Sequence, residues 1–223
     1  LLAGEEGSLF RRLGGFVGGC GLEAAARVCG DGGGGFGVLD RIGSLVDQSL
    51  VRQAVGVDGE PRFAMLETLR EFALEQLEVA GEGPELRLWH AAEVLAFAAA
   101  VEPHLFTGDR GRWLGRLSEE QDNIRAALAW AAGQEDPEPG LLLVGALWLW
   151  FQRRHLLEGR RWAEELVAHP GAGRPTVARA AALFAAGHFA WLQGDVPAMR
   201  TCLAECVAIR RTLDDRAGLG RAL

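Results

Sequence analysis

The chain has no lysine and no tyrosine among its 223 residues, so all 23 of its basic side chains are arginines. A Walker A phosphate loop requires a Gly-Lys-Ser/Thr sequence, and Schiff-base chemistry requires the amine of a lysine. The absence of lysine therefore excludes both kinds of site from this chain. The abundance of Ala, Gly and Arg suggests a GC-rich bacterial genome.

Positive charge is also scarce, because the formal net charge is −7. The first 82 residues hold seven arginines against thirteen Asp and Glu residues. Proteins that bind nucleic acid take most of their affinity from neutralising phosphates with Lys and Arg. The charge balance therefore argues against direct nucleic-acid binding by this chain, and most strongly for its first third.

Cysteines and long apolar runs are few. The four cysteines, at positions 20, 29, 202 and 206, form no disulfide framework, and no secretory leader precedes them, so we expect a reduced, cytoplasmic protein. The longest apolar run, Leu141 to Phe151, has eleven residues and is too short to span a bilayer. The chain begins without Met and ends inside a helical pattern, and we interpret it as a fragment of a longer protein.

Catalytic motifs are missing as well. The sequence contains no Gly-x-Ser-x-Gly, no His-Glu-x-x-His and no grouping of Ser, His and Asp, and its five histidines are scattered over the second part of the chain. We therefore predict that the chain is not an enzyme. The alternative is an enzyme with a pocket between helical repeats, which would show as perturbed titratable groups in a deep cleft.

Two local patterns resemble ligand sites but have simpler explanations. The glycine run Gly30–Gly37 could cradle a phosphate, yet it contains Asp31 and lacks the lysine of such loops, so a plain loop is expected. Cys202 with Cys206, and His155 with Glu158, could each present two metal ligands on one helix face. Neither pair has a second pair at metal-finger spacing, so we predict no metal site.

The first third of the chain predicts a winged helix. Helices are expected over residues 4–14 and 22–29, and a third helix is indicated by apolar residues at three- and four-residue steps from Phe36 to Val46. Two short strands, Leu50–Val55 and Arg62–Met65, flank an Asp-Gly turn and form a hairpin. Three helices followed by a hairpin define a winged-helix domain, placed at residues 1–81.

The remainder of the chain is predicted to be helical. Residues 82–136 form a helical connector with helices over 84–101 and 110–132, and the Pro-containing segment 134–140 ends it. Residues 137–223 contain an internal repeat of about 40 residues with small residues at spacings typical of the tetratricopeptide (TPR) pattern. The fold class is therefore mainly α, a winged helix with one small β-hairpin followed by a helical, TPR-like array that is truncated at its C-terminus.

Two features of the helical part could serve a partner. Arg153, Arg154, Arg160 and Arg161 form the densest basic cluster, which could receive an acidic peptide or an anionic ligand, although a solvated helix face is the simpler interpretation. All seven tryptophans also lie beyond residue 88. Packing between neighbouring helices is their simplest role, and an aromatic anchor in a partner groove is the alternative.

Several motifs in the right order resemble one family. These segments are residues 4–13, Phe16-Val17-Gly18-Gly19, residues 39–51, residues 62–74, Trp113-Leu114-x-x-Leu117, Asp122-Asn123-Ile124-Arg125-Ala126-Ala127-Leu128-x-Trp130, and Gly194-Asp195. Together they resemble the winged-helix and repeat region that follows the ATPase domain in bacterial NB-ARC/STAND regulators of the LuxR or antibiotic-regulator type. The resemblance implies ATP or ADP in an upstream domain and no cofactor in this fragment.

The same resemblance singles out one junction. In the family, a Met-His-Asp-like triplet between the wing and the next helix senses the bound nucleotide. The matching residues are Met65, Leu66 and Glu67, so the sensing histidine is replaced by leucine, which cannot hydrogen-bond a phosphate. The resemblance therefore implies a hinge between the wing and the connector more strongly than it implies a nucleotide contact.

Two hypotheses on function follow. The first is a non-catalytic regulatory fragment that couples the nucleotide state of an upstream domain, docked in cis, to an inducer or protein partner on the repeats. The second is a sequence-specific DNA-binding winged helix with a helical dimerisation part. The third predicted helix offers Asp40, Arg41, Ser44 and Asp47, a set that would mostly repel phosphate, and this favours the first hypothesis.

Overall fold

The computed structural model describes residues 4–30 and 35–222, most of which lie in helices. The α-helices are α1 (Gly4–Leu13), α2 (Leu22–Cys29), α3 (Gly35–Asp47), α4 (Glu67–Val79), α5 (Gly83–Val101), α6 (Arg110–Glu119), α7 (Gln121–Ala132), α8 (Glu138–Ala146), α9 (Trp148–Arg154), α10 (Leu156–Val167), α11 (Val177–Leu192), α12 (Val196–Thr212) and α13 (Arg216–Ala222). The strands are β1 (Cys20–Gly21), β2 (Arg52–Val55) and β3 (Pro61–Ala64), and 3-10 helices span Glu102–Phe106 and Pro170–Gly173. The predicted mainly α fold class, a winged helix followed by a helical array, is confirmed.

The described residues form two compact units. The first unit contains residues 1–94 and 111–127, and the second contains residues 95–110 and 128–223, apart from the positions outside the described ranges. The unit boundaries fall inside α5, after the first residue of α6, and inside α7. The boundaries predicted from sequence, at residues 81/82 and 136/137, stay predictions.

The core of the first unit is built largely from the apolar stripes that the sequence predicts, although in α3 Val38 is buried in place of the expected Leu39, which is 43% exposed. Leu9, Phe10 and Leu13 of α1 are buried together with the α3 residues Val38, Ile42 and Leu45. These positions recur every three or four residues, which places them on one face of each helix. Removing this apolar surface from water is the main term that holds the helices together.

A three-stranded antiparallel sheet closes this core. The strand order is β1-β3-β2, with Phe63 of β3 opposite both Cys20 of β1 and Gln53 of β2. The predicted hairpin corresponds to β2 and β3, whereas β1 was not predicted. Gly19, which precedes β1, has φ +91° and lies so close to β3 that a Cβ there would come within 2.4 Å of the Phe63 carbonyl oxygen. Only glycine fits such a conformation without strain.

The helix predicted over residues 110–132 is in fact two helices, α6 and α7. The carbonyl oxygen of Glu119 accepts a hydrogen bond from Arg62 Nη2 at 2.9 Å, and the helical ladder resumes with the Ile124 N–H donating to Glu120 O at 2.8 Å. An arginine from β3 therefore interrupts the helix. Apolar periodicity alone does not reveal such a break, because Leu117, Ile124 and Leu128 are all buried on either side of it.

In the second unit, α11 packs against α8, α10 and α12. Small residues permit close contact: a Cβ on Gly145 of α8 would lie 2.6 Å from the Ala181 Cβ of α11, and one on Gly187 of α11 would lie 2.9 Å from Leu203 of α12. The turn between α11 and α12 uses Gly194 at φ +75° and Asp195, whose side chain caps α12 by accepting from the Ala198 N–H. Helices α11 and α12 therefore form a helical pair with a glycine-mediated contact.

Candidate functional site

The junction between the wing and α4 contains the three residues that match the nucleotide-sensing triplet. Leu66 has an extended backbone and immediately precedes α4, where its carbonyl oxygen accepts from the N–H groups of Leu69 and Arg70. Its side chain is 42% exposed and provides no cap. Leu66 therefore begins the helix through its backbone alone.

The flanking residues of this triplet point to different environments. Met65 lines a small apolar pocket of the winged-helix core together with Leu13, Phe16, Gly19, Val51, Phe63 and Ala64. Glu67 is exposed and pairs with Arg70 on the next turn at 2.6 Å, and this hydrogen bond lowers the pKa of the Glu67 carboxyl. The three side chains do not converge on one polar pocket. Their role as a nucleotide sensor stays a prediction.

Helix α3 occupies the position of a DNA-recognition helix, and its exposed charge is mainly acidic. Asp40 and Asp47 are exposed, whereas Arg41 is drawn to neighbours, donating from Nε to Gly37 O at 2.8 Å and pairing with Glu5 at 3.3 Å. Ser44 is partly buried and accepts from Gln48 Nε2. Direct base readout needs Arg, Asn or Gln side chains that reach base edges. Of these, the described part of α3 and its end offers Arg41 and Gln48, both already hydrogen-bonded locally.

The wing, residues 52–64, is held along one face of α6. The carboxylate of Asp58 accepts from Arg112 Nε at 2.8 Å and lies 3.3 Å from Arg116 Nε. The N–H of Val57 donates to Glu119 Oε1 at 2.7 Å, and the Val57 side chain contacts α6 where Gly115 leaves room for it. The hydrogen bond from Arg112 holds the pKa of Asp58 below its ordinary value. The wing tip is therefore held against α6 at Val57 and Asp58, whereas β2 is exposed along its whole length.

The base of the wing is fixed by Arg62 on β3. Its Nη2 donates to the carbonyl oxygens of Gly19 and Glu119, each at 2.9 Å, and its Nη1 pairs with Glu120. The Arg62 side chain is only 14% exposed. These contacts join the wing, the segment before β1 and the α6–α7 junction at one point.

A buried polar cluster continues from Arg62 into the unit. Asn123, 1% exposed, accepts from the Val17 N–H at 2.8 Å and donates to Gly19 O at 2.9 Å and to Glu120 Oε2. Its side-chain oxygen also lies 3.1 Å from His90 Nε2. Burial lowers the pKa of His90, which is therefore neutral near pH 7. The sequence marked the Asn123 motif through a family resemblance but gave no sign of these partners.

The predicted arginine surface divides into two parts. Arg160 makes contacts within the second unit: it binds Glu164 at 2.7 Å, Gln193 Oε1 at 2.9 Å and Asp195, the residue that caps α12. Arg161 lies over the ring of Trp162 at 4.6 Å. Arg153 and Arg154 are exposed at the end of α9. The four arginines therefore do not act as one uniform surface, and their role as a partner surface stays a prediction.

Aromatic rings line part of the second unit. Trp148 contacts Phe184 at 5.3 Å and His188 at 4.7 Å between ring centroids, and Trp191, 57% exposed, follows at 5.5 Å from His188. Trp150 and Phe151 are buried instead, as expected from helical spacing, which cannot place all three α9 rings on one side. Most of these rings are explained by packing within the unit. Trp191 continues the series of ring contacts from His188 to the protein surface.

The predicted absence of a metal site has a physical basis in the candidate ligands. Cys206 is fully buried and accepts from Arg210 Nε at 3.3 Å, and burial raises the pKa of Cys202, which disfavours the Cys202 thiolate that a metal would bind. His155 lies 3.9 Å from Glu158, a weak ion-pair distance. Within residues 4–30 and 35–222 no group of three or more His, Cys, Asp and Glu side chains could hold a metal ion. Of the glycine run that was expected to be a plain loop, residues 31–34 lie outside the described residues, and α3 begins at Gly35.

None of the helices within the described ranges combines the length and the apolar character that crossing a bilayer requires. The longest apolar stretch of the sequence is divided in the structure between α8 and α9.

Comparisons with known proteins agree with the geometry of the first unit. Residues 2–78 match the family described as "Winged helix-turn-helix domain". The whole chain is 35% identical over 232 aligned positions to "Putative HTH-type transcriptional regulator Rv0890c" of Mycobacterium tuberculosis and to "Putative HTH-type transcriptional regulator Mb0914c" of Mycobacterium bovis, and it spans 26% of the length of each. No solved structure matches the chain significantly. Residues 2–78 thus form a winged helix-turn-helix domain, within a chain that is homologous throughout its length to a segment of these mycobacterial proteins.

Proposed function

We propose that this chain is the non-catalytic regulatory segment of a bacterial STAND-type transcriptional regulator. In this proposal the winged helix docks on an upstream NB-ARC ATPase domain that binds ATP or ADP, and the TPR-like helices receive an inducer or a protein partner. The segment transmits the nucleotide state of the upstream domain to that partner site. The names of the relatives support a role in transcription, and their greater length leaves room for further domains.

The observation that carries this proposal is the occupied wing. Asp58 and Val57 at its tip are bound by Arg112 and Glu119 of α6, so part of the wing tip is held by the chain itself, although β2 is exposed. The α3 face adds Asp40 and Asp47, which would repel phosphates. A winged helix with these features suits docking on protein better than reading of DNA.

The helical pair α11–α12 supports the second part of the proposal. Its small-residue contact at Gly187 and its capped turn at Gly194-Asp195 match the pattern by which TPR-like helices pack. The half-exposed Trp191 and the exposed Arg153 and Arg154 give this unit groups that can bind a partner. The protein is expected to act in the cytoplasm.

Calorimetry with ATP and ADP tests the proposal that nucleotide binds to an upstream domain and not to this chain. The chain lacks lysine and its sensing histidine, so titration of the purified chain should give no binding tighter than about 1 mM, a free energy of roughly −4 kcal/mol. Micromolar affinity would contradict the proposal, because nucleotide binding would then reside in this segment.

A second candidate function is sequence-specific DNA binding by the winged helix, with the helical part supporting a dimer. It is favoured by the match of residues 2–78 to the winged helix-turn-helix family and by the relatives' description as HTH-type regulators. Binding of operator-length duplexes at physiological salt separates this candidate from the first.

A further inference from the structure

One face of α6 is complementary to the wing tip in both charge and shape. Arg112, Gly115, Arg116 and Glu119 recur at steps of three, one and three residues and therefore lie on the same side of the helix. The arginines flank the ring of Trp113, with guanidinium-to-centroid distances of 5.7 Å and 5.0 Å. Asp58 lies against both arginines, and its carboxylate is only 10% exposed.

The contacts at the wing tip differ in kind from those at its base. At the tip, the side chain of Arg112 is 59% exposed and that of Arg116 is 38% exposed. At the base, Arg62 and Asn123 are largely buried and hydrogen-bonded to backbone groups. Exposed ion pairs are weak and are screened by salt, whereas buried hydrogen-bonded groups are costly to separate. The two arginines of the tip are thus more solvated than the groups at the base, although Asp58 itself is only 10% exposed, and we expect the tip to separate from α6 more readily than the base.

We propose that Asp58, Arg112 and Arg116 form a wing latch, and that an acidic segment of a partner protein opens this latch by replacing Asp58 between the two arginines. The wing tip then acts as an internal mimic of the partner. This inference stands apart from the proposed nucleotide coupling, because it concerns only residues of the first unit and their own ligand.

The chemistry of the site selects a carboxylate-bearing partner. Arginine binds carboxylates through directed N–H groups, and the two Nε atoms here already lie 2.8 Å and 3.3 Å from carboxylate oxygens. Trp113 between the arginines adds an apolar surface beside the charge. A flexible acidic peptide can present such a group without disturbing the fold. Release of the wing would also expose the part of the Val57 side chain that contacts α6, since this side chain is 56% exposed in the closed state.

Hydrogen exchange of the full chain, read at residues 56–60, measures opening of the latch. Asp58→Asn removes the internal carboxylate but leaves both arginines, and the double variant Arg112→Gln/Arg116→Gln removes the receptor. Asp214→Asn, in an exposed pair with Arg216 at 3.4 Å, is the matched control. Each protein is also titrated with an eight-residue peptide of alternating Asp and Glu, and with its Asn/Gln counterpart.

The latch predicts a specific combination of results. Exchange at residues 56–60, corrected for intrinsic rates, should rise about fivefold in both latch variants and stay unchanged in Asp214→Asn, as expected for a few weak surface pairs. Asp58→Asn should bind the acidic peptide about fivefold more tightly than the unaltered chain, and the double arginine variant should not bind it. Unchanged exchange in Asp58→Asn, or equal peptide binding by Asp58→Asn and the double variant, would overturn the proposal.

Discussion

The side-chain oxygen of Asn123 accepts a hydrogen bond from the backbone N–H of Val17 at 2.8 Å, across a sequence separation of 106 residues. The same side chain donates to Gly19 O, so one buried amide satisfies both ends of the turn that leads into β1. Backbone groups that are buried without water need such partners. Asn123 therefore ties the start of α7 to the winged helix by supplying hydrogen bonds that no sheet or helix provides.

Replacing Asn123 by Ala should lower the free energy of unfolding by about 1–3 kcal/mol, because in a buried site the Val17 N–H loses its acceptor and the Gly19 carbonyl loses one of its two donors. Urea unfolding followed by circular dichroism measures the change. Gln48→Ala, which removes an exposed side chain bonded only to Ser44, should stay within about 0.5 kcal/mol. An Asn123→Ala effect no larger than that of Gln48→Ala would contradict this role.

Arg62 is expected to be the most sensitive residue of the wing. Arg62→Gln should cost roughly 3 kcal/mol of unfolding free energy, because it leaves Glu120 without its cation and removes a donor from the carbonyl oxygens of Glu119 and Gly19, of which Gly19 keeps only Asn123. Arg52→Gln on the neighbouring strand is the control, since Arg52 is exposed, and it should change stability by less than about 0.5 kcal/mol. Equal effects of the two variants would show that the charge alone, and not the position of Arg62, is responsible.

Gly145 in α8 tests the small-residue contact of the second unit. Alanine normally stabilises a helix interior by about 1 kcal/mol relative to glycine. At this position the new Cβ would lie 2.6 Å from the Ala181 Cβ and 3.2 Å from its backbone carbonyl carbon, so overpacking of about 1–3 kcal/mol should outweigh that gain.

Thermal unfolding of Gly145→Ala should therefore show a lower midpoint than that of the unaltered chain. Gly220→Ala in α13 provides the comparison, because a Cβ there meets nothing within 4 Å. That variant should unfold at the same or a slightly higher temperature. A raised midpoint for Gly145→Ala would mean that α8 and α11 are not in close contact.

His90 should make the stability of the first unit depend on pH. Burial lowers the pKa of His90 in the folded chain, so the unfolded chain binds a proton at a higher pH than the folded one does. The contribution of the neutral imidazole is complete above the ordinary histidine pKa of about 6.5 and is lost as the pH falls from there through the folded pKa.

Urea midpoints measured between pH 7.5 and 5 should therefore decrease with falling pH, and the decrease should be smaller for His90→Gln. Comparing how steeply the urea midpoint changes with pH in the two proteins removes the pH-independent loss of stability that the substitution itself causes. Identical slopes in the two proteins would show that His90 does not carry this dependence.

Much of the first unit could be predicted because its core follows regular periodicity. The apolar steps through Ile42 and Leu45 predicted α3, and the Asp58-Gly59 turn between alternating residues predicted the hairpin. Glycines at positions 18 and 19 were noted, but nothing in the sequence predicted that Gly19 would lie against the Phe63 carbonyl, because that contact joins distant segments.

The candidate site was harder to predict, because it depends on long-range polar contacts. Arg62 interrupts the predicted helix at Glu119 through a hydrogen bond to a backbone carbonyl, which leaves no trace in local composition. The spacing of Arg112, Gly115, Arg116 and Glu119 was a usable signal, since polar residues on one helix face suggest a polar partner. Arg160 belonged to a predicted surface cluster, yet it proves to bind Asp195 and Gln193 within its own unit.

The most direct test of the account is the affinity of the intact chain for duplex DNA, measured by fluorescence anisotropy at about 150 mM salt. Random duplexes and duplexes from the promoter region of the chain's own gene should both bind weakly, with Kd values no tighter than the roughly micromolar level of non-specific contacts. That result is expected because the wing tip is bound to α6 and the α3 face is acidic. Nanomolar, sequence-dependent binding that resists salt would contradict the account and establish the winged helix as a DNA reader.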